Sequence, residues 1–62
     1  MKGTQKMYMI KNGARYQDKW GRIWFVVNYD NITDKWLMRL CKFPYESWFS
    51  AEEIYKWKLI NI

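Results

Sequence analysis

Apolar and polar residues are patterned most clearly between Arg22 and Tyr29, the run Arg-Ile-Trp-Phe-Val-Val-Asn-Tyr. It is rich in β-branched and aromatic side chains, which fit a pleated strand better than a helix. Period-2 geometry places Trp24 and Val26 on one face, and Ile23, Phe25, Val27 and Tyr29 on the other. A strand apolar on both faces is either central in a strongly curved sheet or carries a contact face. Lys35 to Lys42 forms a second strand pattern, in which Trp36, Met38 and Leu40 share one face and Leu37, Arg39 and Cys41 the other. Arg39 marks the second face as the outer one, so Trp36, Met38 and Leu40 are assigned to the core. Between these strands, Asp30 to Asp34 is a polar loop, and Pro44 stops the later strand because it cannot donate to a ladder.

Turn chemistry supplies the remaining boundaries. Asn12-Gly13 tolerates positive φ and predicts a turn with a short strand beside it. Asp18-Lys19-Trp20-Gly21 predicts a second turn, with Gly21 in the unusual dihedral. Ser47-Trp48-Phe49 is a short extended piece, and alternation puts only one of the two rings inside; Phe49 is assigned to the core and Trp48 to the surface. Ser50-Ala-Glu-Glu53 is a capping box, so a short helix starts at Ala51. The last residues, from Trp57, return to strand-like composition.

The predicted order is therefore four strands, a brief helix and a last strand. The segments RYQDKWGRIWFVV, WLMRL and ESWFSAEEIYKWKLI resemble the small stand-alone SH3-like proteins encoded by phages and mobile elements of Gram-positive bacteria. The resemblance covers roughly residues 10 to 62. It implies a mainly β fold, a small five-stranded SH3-like barrel with one short helix before the last strand. A flexible N-terminus over 1–6 and a single barrel domain over 7–62 complete the expected organisation. The resemblance carries fold rather than function, because such folds host unrelated activities.

Composition then narrows the chemistry. A chain of 62 residues buries only about 60% of its unfolded surface, and small scaffolds need reinforcement. Cys41 is the only cysteine and histidine is absent, so neither an internal disulfide nor a zinc site of the usual ligands is expected. Five Trp, five Tyr and three Phe can supply the core instead, at roughly 150–250 Å² buried per ring. The missing histidine also removes the commonest general acid–base group, and Cys41 has no histidine to activate it. Cys41 is expected to be a small buried hydrophobe. Asp30 and Asp34 flank one loop and are explained by local turn bonding. No enzyme activity, cofactor or metal is expected. The first ten residues lack an apolar leader core, and no segment approaches the ~18 apolar residues of a membrane span. A cytoplasmic protein, in the host cell if phage-encoded, is expected.

Net charge is +5. Residues 1–22 hold Lys2, Lys6, Lys11, Arg15, Lys19 and Arg22 against Asp18, or 6 − 1 = +5, while residues 23–62 balance five bases with five acids. Such asymmetry suits an anionic partner, and it also suits solubility alone. Trp20 sits in a turn between Lys19 and Arg22, where it either makes contact with a partner or folds back as a lid over the barrel end. Tyr45 with Trp48, and Tyr55 with Trp57, form a second candidate surface. Three functions follow. The first is a small adaptor that binds a host or phage protein through exposed aromatic residues, the residue class that dominates binding hot spots. The second is a DNA- or RNA-binding module using Lys11, Arg15, Lys19 and Arg22 around Trp20. The third is a homodimeric structural component.

Overall fold

A computed structural model describes residues 10–60 of the chain; the expected frayed segment 1–6 lies outside them. Five strands and one helix follow in order: β1 (Arg15–Gln17), β2 (Ile23–Asp30), β3 (Lys35–Leu40), β4 (Glu46–Phe49), α1 (Ala51–Ile54) and β5 (Lys58–Ile60). All strand pairs are antiparallel, and the sheet order is β4-β3-β2-β1-β5. The doubly apolar strand is thus the central one, as its composition requires.

The expected barrel is not closed. β4 and β5 are the two edges of the sheet and share no ladder. Side chains bridge the gap instead. Phe49 ends β4 and Trp57 precedes β5, and their rings meet edge to face with centroids 4.9 Å apart. Both rings also reach Trp24 on the central strand, at 5.0 and 6.0 Å. An indole large enough to touch both edges of the sheet removes the need for a longer ladder.

Trp24, Val26, Met38 and Ile54 are the large fully buried side chains, with Ile10, Tyr16 and Ala51 completing the core. Trp36, Leu40 and Phe49 pack against it, so the facing assigned to β3 and to Phe49 holds. Tyr55 and Trp57 also pack against the core, which corrects their assignment to an exposed surface: the return from α1 to β5 folds both rings inward. Tyr29 is a second correction. A bulge at Val27 breaks the alternation of β2, as bulges do. Beyond it Tyr29 stands opposite Trp36, with ring centroids 4.6 Å apart.

The turns obey their residue types. Gly13 and Gly21 have φ of +90° and +87°, where a side chain is strained. Asp34 takes φ of 59°, which Asp tolerates. At Ser50 the capping box forms both ways: Glu53 N donates to Ser50 Oγ at 3.2 Å, and Ser50 N donates to Glu53 Oε1 at 2.9 Å. The cap starts a helix of a single turn, buried through Ala51 and Ile54.

The ring contact between the sheet edges predicts energetic coupling. A double-mutant cycle with Phe49→Leu and Trp57→Leu, read by urea unfolding, is expected to give a coupling of about 1 kcal/mol. Strict additivity would show that the edges are not joined there.

Candidate functional site

The turn from Asp18 to Arg22 is organised by one carboxylate. Asp18 N donates to Arg22 O at 2.9 Å, and Gly21 N donates to Asp18 O at 3.0 Å. Asp18 Oδ1 accepts from the amides of Trp20 and Arg22, both at 2.9 Å. Oδ2 accepts from Arg22 Nε at 2.7 Å and from the indole Nε1 of Trp24 at 2.9 Å. A carboxylate offers about four lone-pair sites, and all are used. The Asp18 side chain has no exposed surface, whereas that of Arg22 is half exposed. Burial pushes the Asp18 carboxyl upward, but the bonds from the Trp24 indole, the Arg22 amide and guanidinium and the Trp20 amide outweigh it and hold the group below its ordinary range.

This turn holds Trp20 outward, and the ring is 67% exposed; it is not a lid. Lys19 Nζ lies 4.6 Å from the Trp20 ring centroid and the Arg22 guanidinium carbon 4.9 Å. The same guanidinium is 5.6 Å from the Trp24 ring. Arg22 therefore links an exposed ring to a buried one, held by a carboxylate that both Arg22 and Trp24 share.

Beside the turn lies a cleft of about 460 Å³, lined by Trp20, Arg22 and Ile23 on one side of the chain path and by Leu40, Lys42 and Phe43 on another, with Arg15, Gly21 and Cys41 completing it. The backbone fixes its two walls to each other: Cys41 N donates to Ile23 O at 3.0 Å. Phe43 is 65% exposed, held on a loop where Tyr45 N donates to Phe43 O and Leu40 N to Tyr45 O. Aliphatic and aromatic carbon forms the floor, and every charged residue that lines the cleft is basic.

Of the residues singled out in the sequence, Arg15, Trp20 and Arg22 line this cleft. Lys19 lies over the Trp20 ring without lining it. Lys11 is exposed beside the Gly13 turn, whose amide bonds to Val26 O, and so sits at the other end of β1. Tyr45 and Trp48 do not form one surface. Tyr45 meets the buried Trp24 edge-on at 6.0 Å, while Trp48 stands opposite Leu37 on the outer face, 49% exposed. Tyr45 lies on the loop before β4, whereas Trp48 belongs to the strand itself.

Cys41 is exposed, which corrects its expected burial as a small hydrophobe and agrees with its place beside Arg39 on the outer face. Asp30 and Asp34 are engaged locally. Asp30 Oδ2 accepts from Thr33 Oγ1 at 2.6 Å, and Asp34 Oδ1 accepts from Tyr29 Oη at 2.6 Å. Thr33 and nearby amides lower the Asp30 carboxyl from its ordinary value.

Sequence reasoning missed Asp18, Lys42 and Phe43. The local half of the Asp18 role carried a signal, because Asp bonding the amide two residues on is a common turn device. Its bond to the Trp24 indole depends on the tertiary fold. No protein-family model, curated protein or solved structure matches the chain.

Two expectations follow. Asp18→Asn turns an amide N–H₂ toward donors and is expected to destabilise the fold by about 3 kcal/mol at neutral pH. The native Asp18 carboxyl is depressed, so its stabilisation is complete above the ordinary value of about 4 and is lost as pH falls below it. Urea titrations between neutral pH and pH ~3 should therefore show a shallower acid loss in Asp18→Asn than in the parent; equal slopes would contradict the stabilising role of the Asp18 carboxylate. Cys41 should react with a thiol reagent in the folded protein, at a rate unchanged by urea below the unfolding transition. A rate that rises with urea would mean that Cys41 is reached only on opening.

Proposed function

We propose that the protein is a non-enzymatic binding module that takes a protein partner in the cleft between the Asp18–Arg22 turn and the 41–43 loop. One observation carries this: Trp20 and Phe43, the two most exposed aromatic side chains among the described residues, border a single cleft with a largely apolar lining. Aromatic rings with an adjacent arginine are the composition of binding hot spots. Large side chains held outward by a bonded turn cost little entropy to immobilise on binding. Cys41 is the sole thiol at the cleft, and neither a histidine nor a carboxylate lines it, which favours binding over nucleophilic chemistry.

Nucleic acid is the second reading of the same residues, and the ring geometry favours it less. Lys19 and Arg22 already lie over Trp20, so a stacked base would compete with bound cations. The order of elements, with the helix before the last strand, supports kinship with the SH3-like proteins of phages and mobile elements and a setting in the host cytoplasm. No helix among the described residues is long and apolar enough to cross a membrane.

Selection of a random peptide library on the immobilised protein tests the proposal without a known partner. Enriched peptides are expected to lose at least about tenfold in affinity on Trp20→Ala or Phe43→Ala, with unfolding midpoints little changed. Enriched peptides that bind these variants as well as the parent would place the binding surface elsewhere.

A further inference from the structure

We infer that the segment held in the cleft is acidic, an apolar side chain flanked by carboxylates. The inference rests on the cleft being a protein-binding site and specifies the chemistry of its ligand. Arg15 comes from β1, Arg22 from the turn and Lys42 from the loop after β3; these separate parts of the chain deliver three cations to one cleft that no acidic side chain lines. Charge asymmetry along the sequence does not produce this cluster, because Lys42 belongs to the balanced part of the chain. Asp18 is the acid nearest in sequence, and it cannot meet a ligand: its side chain is fully buried and its lone pairs are filled.

Arg22 is arranged for a carboxylate. Asp18 engages it through the backbone amide and Nε, and the Nη groups have no acceptor among the described residues. A guanidinium already fixed on one side loses less freedom when it pairs with a second carboxylate. Such charge-assisted bonds are stronger than neutral ones. Ile23, Leu40 and Phe43 supply the apolar floor, which rewards an aliphatic or aromatic anchor with removal of its surface from water.

A nucleic acid would use the same cations for phosphates but fits the rest of the cleft less well. Its only side-chain donors apart from the Trp20 indole and the Cys41 thiol are the cations themselves, which would have to serve phosphates and base edges at once. The occupant favoured by both halves of the cleft is therefore a peptide whose apolar side chain enters and whose carboxylates meet the rim.

The test compares defined probes by calorimetric titration and amide chemical shifts. The capped peptide Asp-Glu-Leu-Phe-Glu-Asp is expected to bind, with shifts centred on Ile23, Cys41 and Phe43. Replacing its acids by lysine, or Leu-Phe by Ala-Ala, should each weaken binding by about tenfold or more. The double variant Arg15→Glu with Lys42→Glu should reverse the preference toward the lysine peptide. If that variant fails to fold, Lys42→Glu alone, on an exposed loop, should still weaken acidic-peptide binding several-fold. Equal binding of the acidic and lysine peptides, shifts remote from the cleft, or tighter binding of a short oligothymidylate would overturn the inference. So would absence of binding by the acidic peptide while library-selected peptides still depend on Trp20; that outcome leaves the cleft as a protein-binding site and removes only its acidic specificity.

Discussion

A single buried carboxylate ties the Asp18–Arg22 turn to the core. Asp18 accepts from two amides of its own turn, from the Arg22 side chain and from the indole of Trp24. An ionised group in such a position would be costly if any donor were missing, because the desolvation of the charge would remain uncompensated. With four donors present, the same burial makes each bond hard to exchange for water. The result is a turn whose shape depends on the position of a core ring, and a core ring whose polar edge depends on the turn. Arg22 and Trp20 inherit their placement from this arrangement rather than from packing of their own.

Trp24 has a second role, which explains how so short a chain forms a core without closing its sheet. Its indole meets Phe49 and Trp57 from the two edges and Tyr45 from the loop before β4. Ring contacts of this kind contribute beyond the area they bury. A chain without a disulfide or the usual zinc ligands thus gains reinforcement from aromatic mass at one point. The hydrogen-bonding edge of the same ring is satisfied by Asp18, so the largest core side chain leaves no polar atom stranded.

Most of the architecture was legible in local pattern. The run around Trp24, the facing of Trp36, Met38 and Leu40, the glycine turns and the Ser50 capping box all follow from rules that act over a few residues. Failures arose where a local rule was carried past its limit. Alternation placed Tyr29 with Ile23, and the Val27 bulge reversed it. Residue type was also overextended at Cys41, taken as a small buried hydrophobe although alternation had set it with Arg39 on the outer face, where it is exposed. Barrel closure could not be read from element order, because it depends on whether two edges meet in space. The site was half legible: Arg15, Trp20 and Arg22 are close in sequence and were found together, whereas Lys42 and Phe43 join them only through the β2–β3 pairing that sets Cys41 beside Ile23. Asp18 was hidden by its ordinary appearance in a turn.

The two walls of the cleft differ in how they are held, and this bears on how the protein can diversify. The Asp18–Arg22 wall is bonded at nearly every polar group, to itself and to the core. An insertion or a change of residue there disturbs folding. The 41–44 wall is held by backbone bonds at its ends, Cys41 to Ile23 and Leu40 to Tyr45, with exposed side chains between them. Lys42 and Phe43 can therefore be exchanged at little structural cost. Sequence change is thus tolerated on that wall, while the opposite one is held constant by the demands of folding.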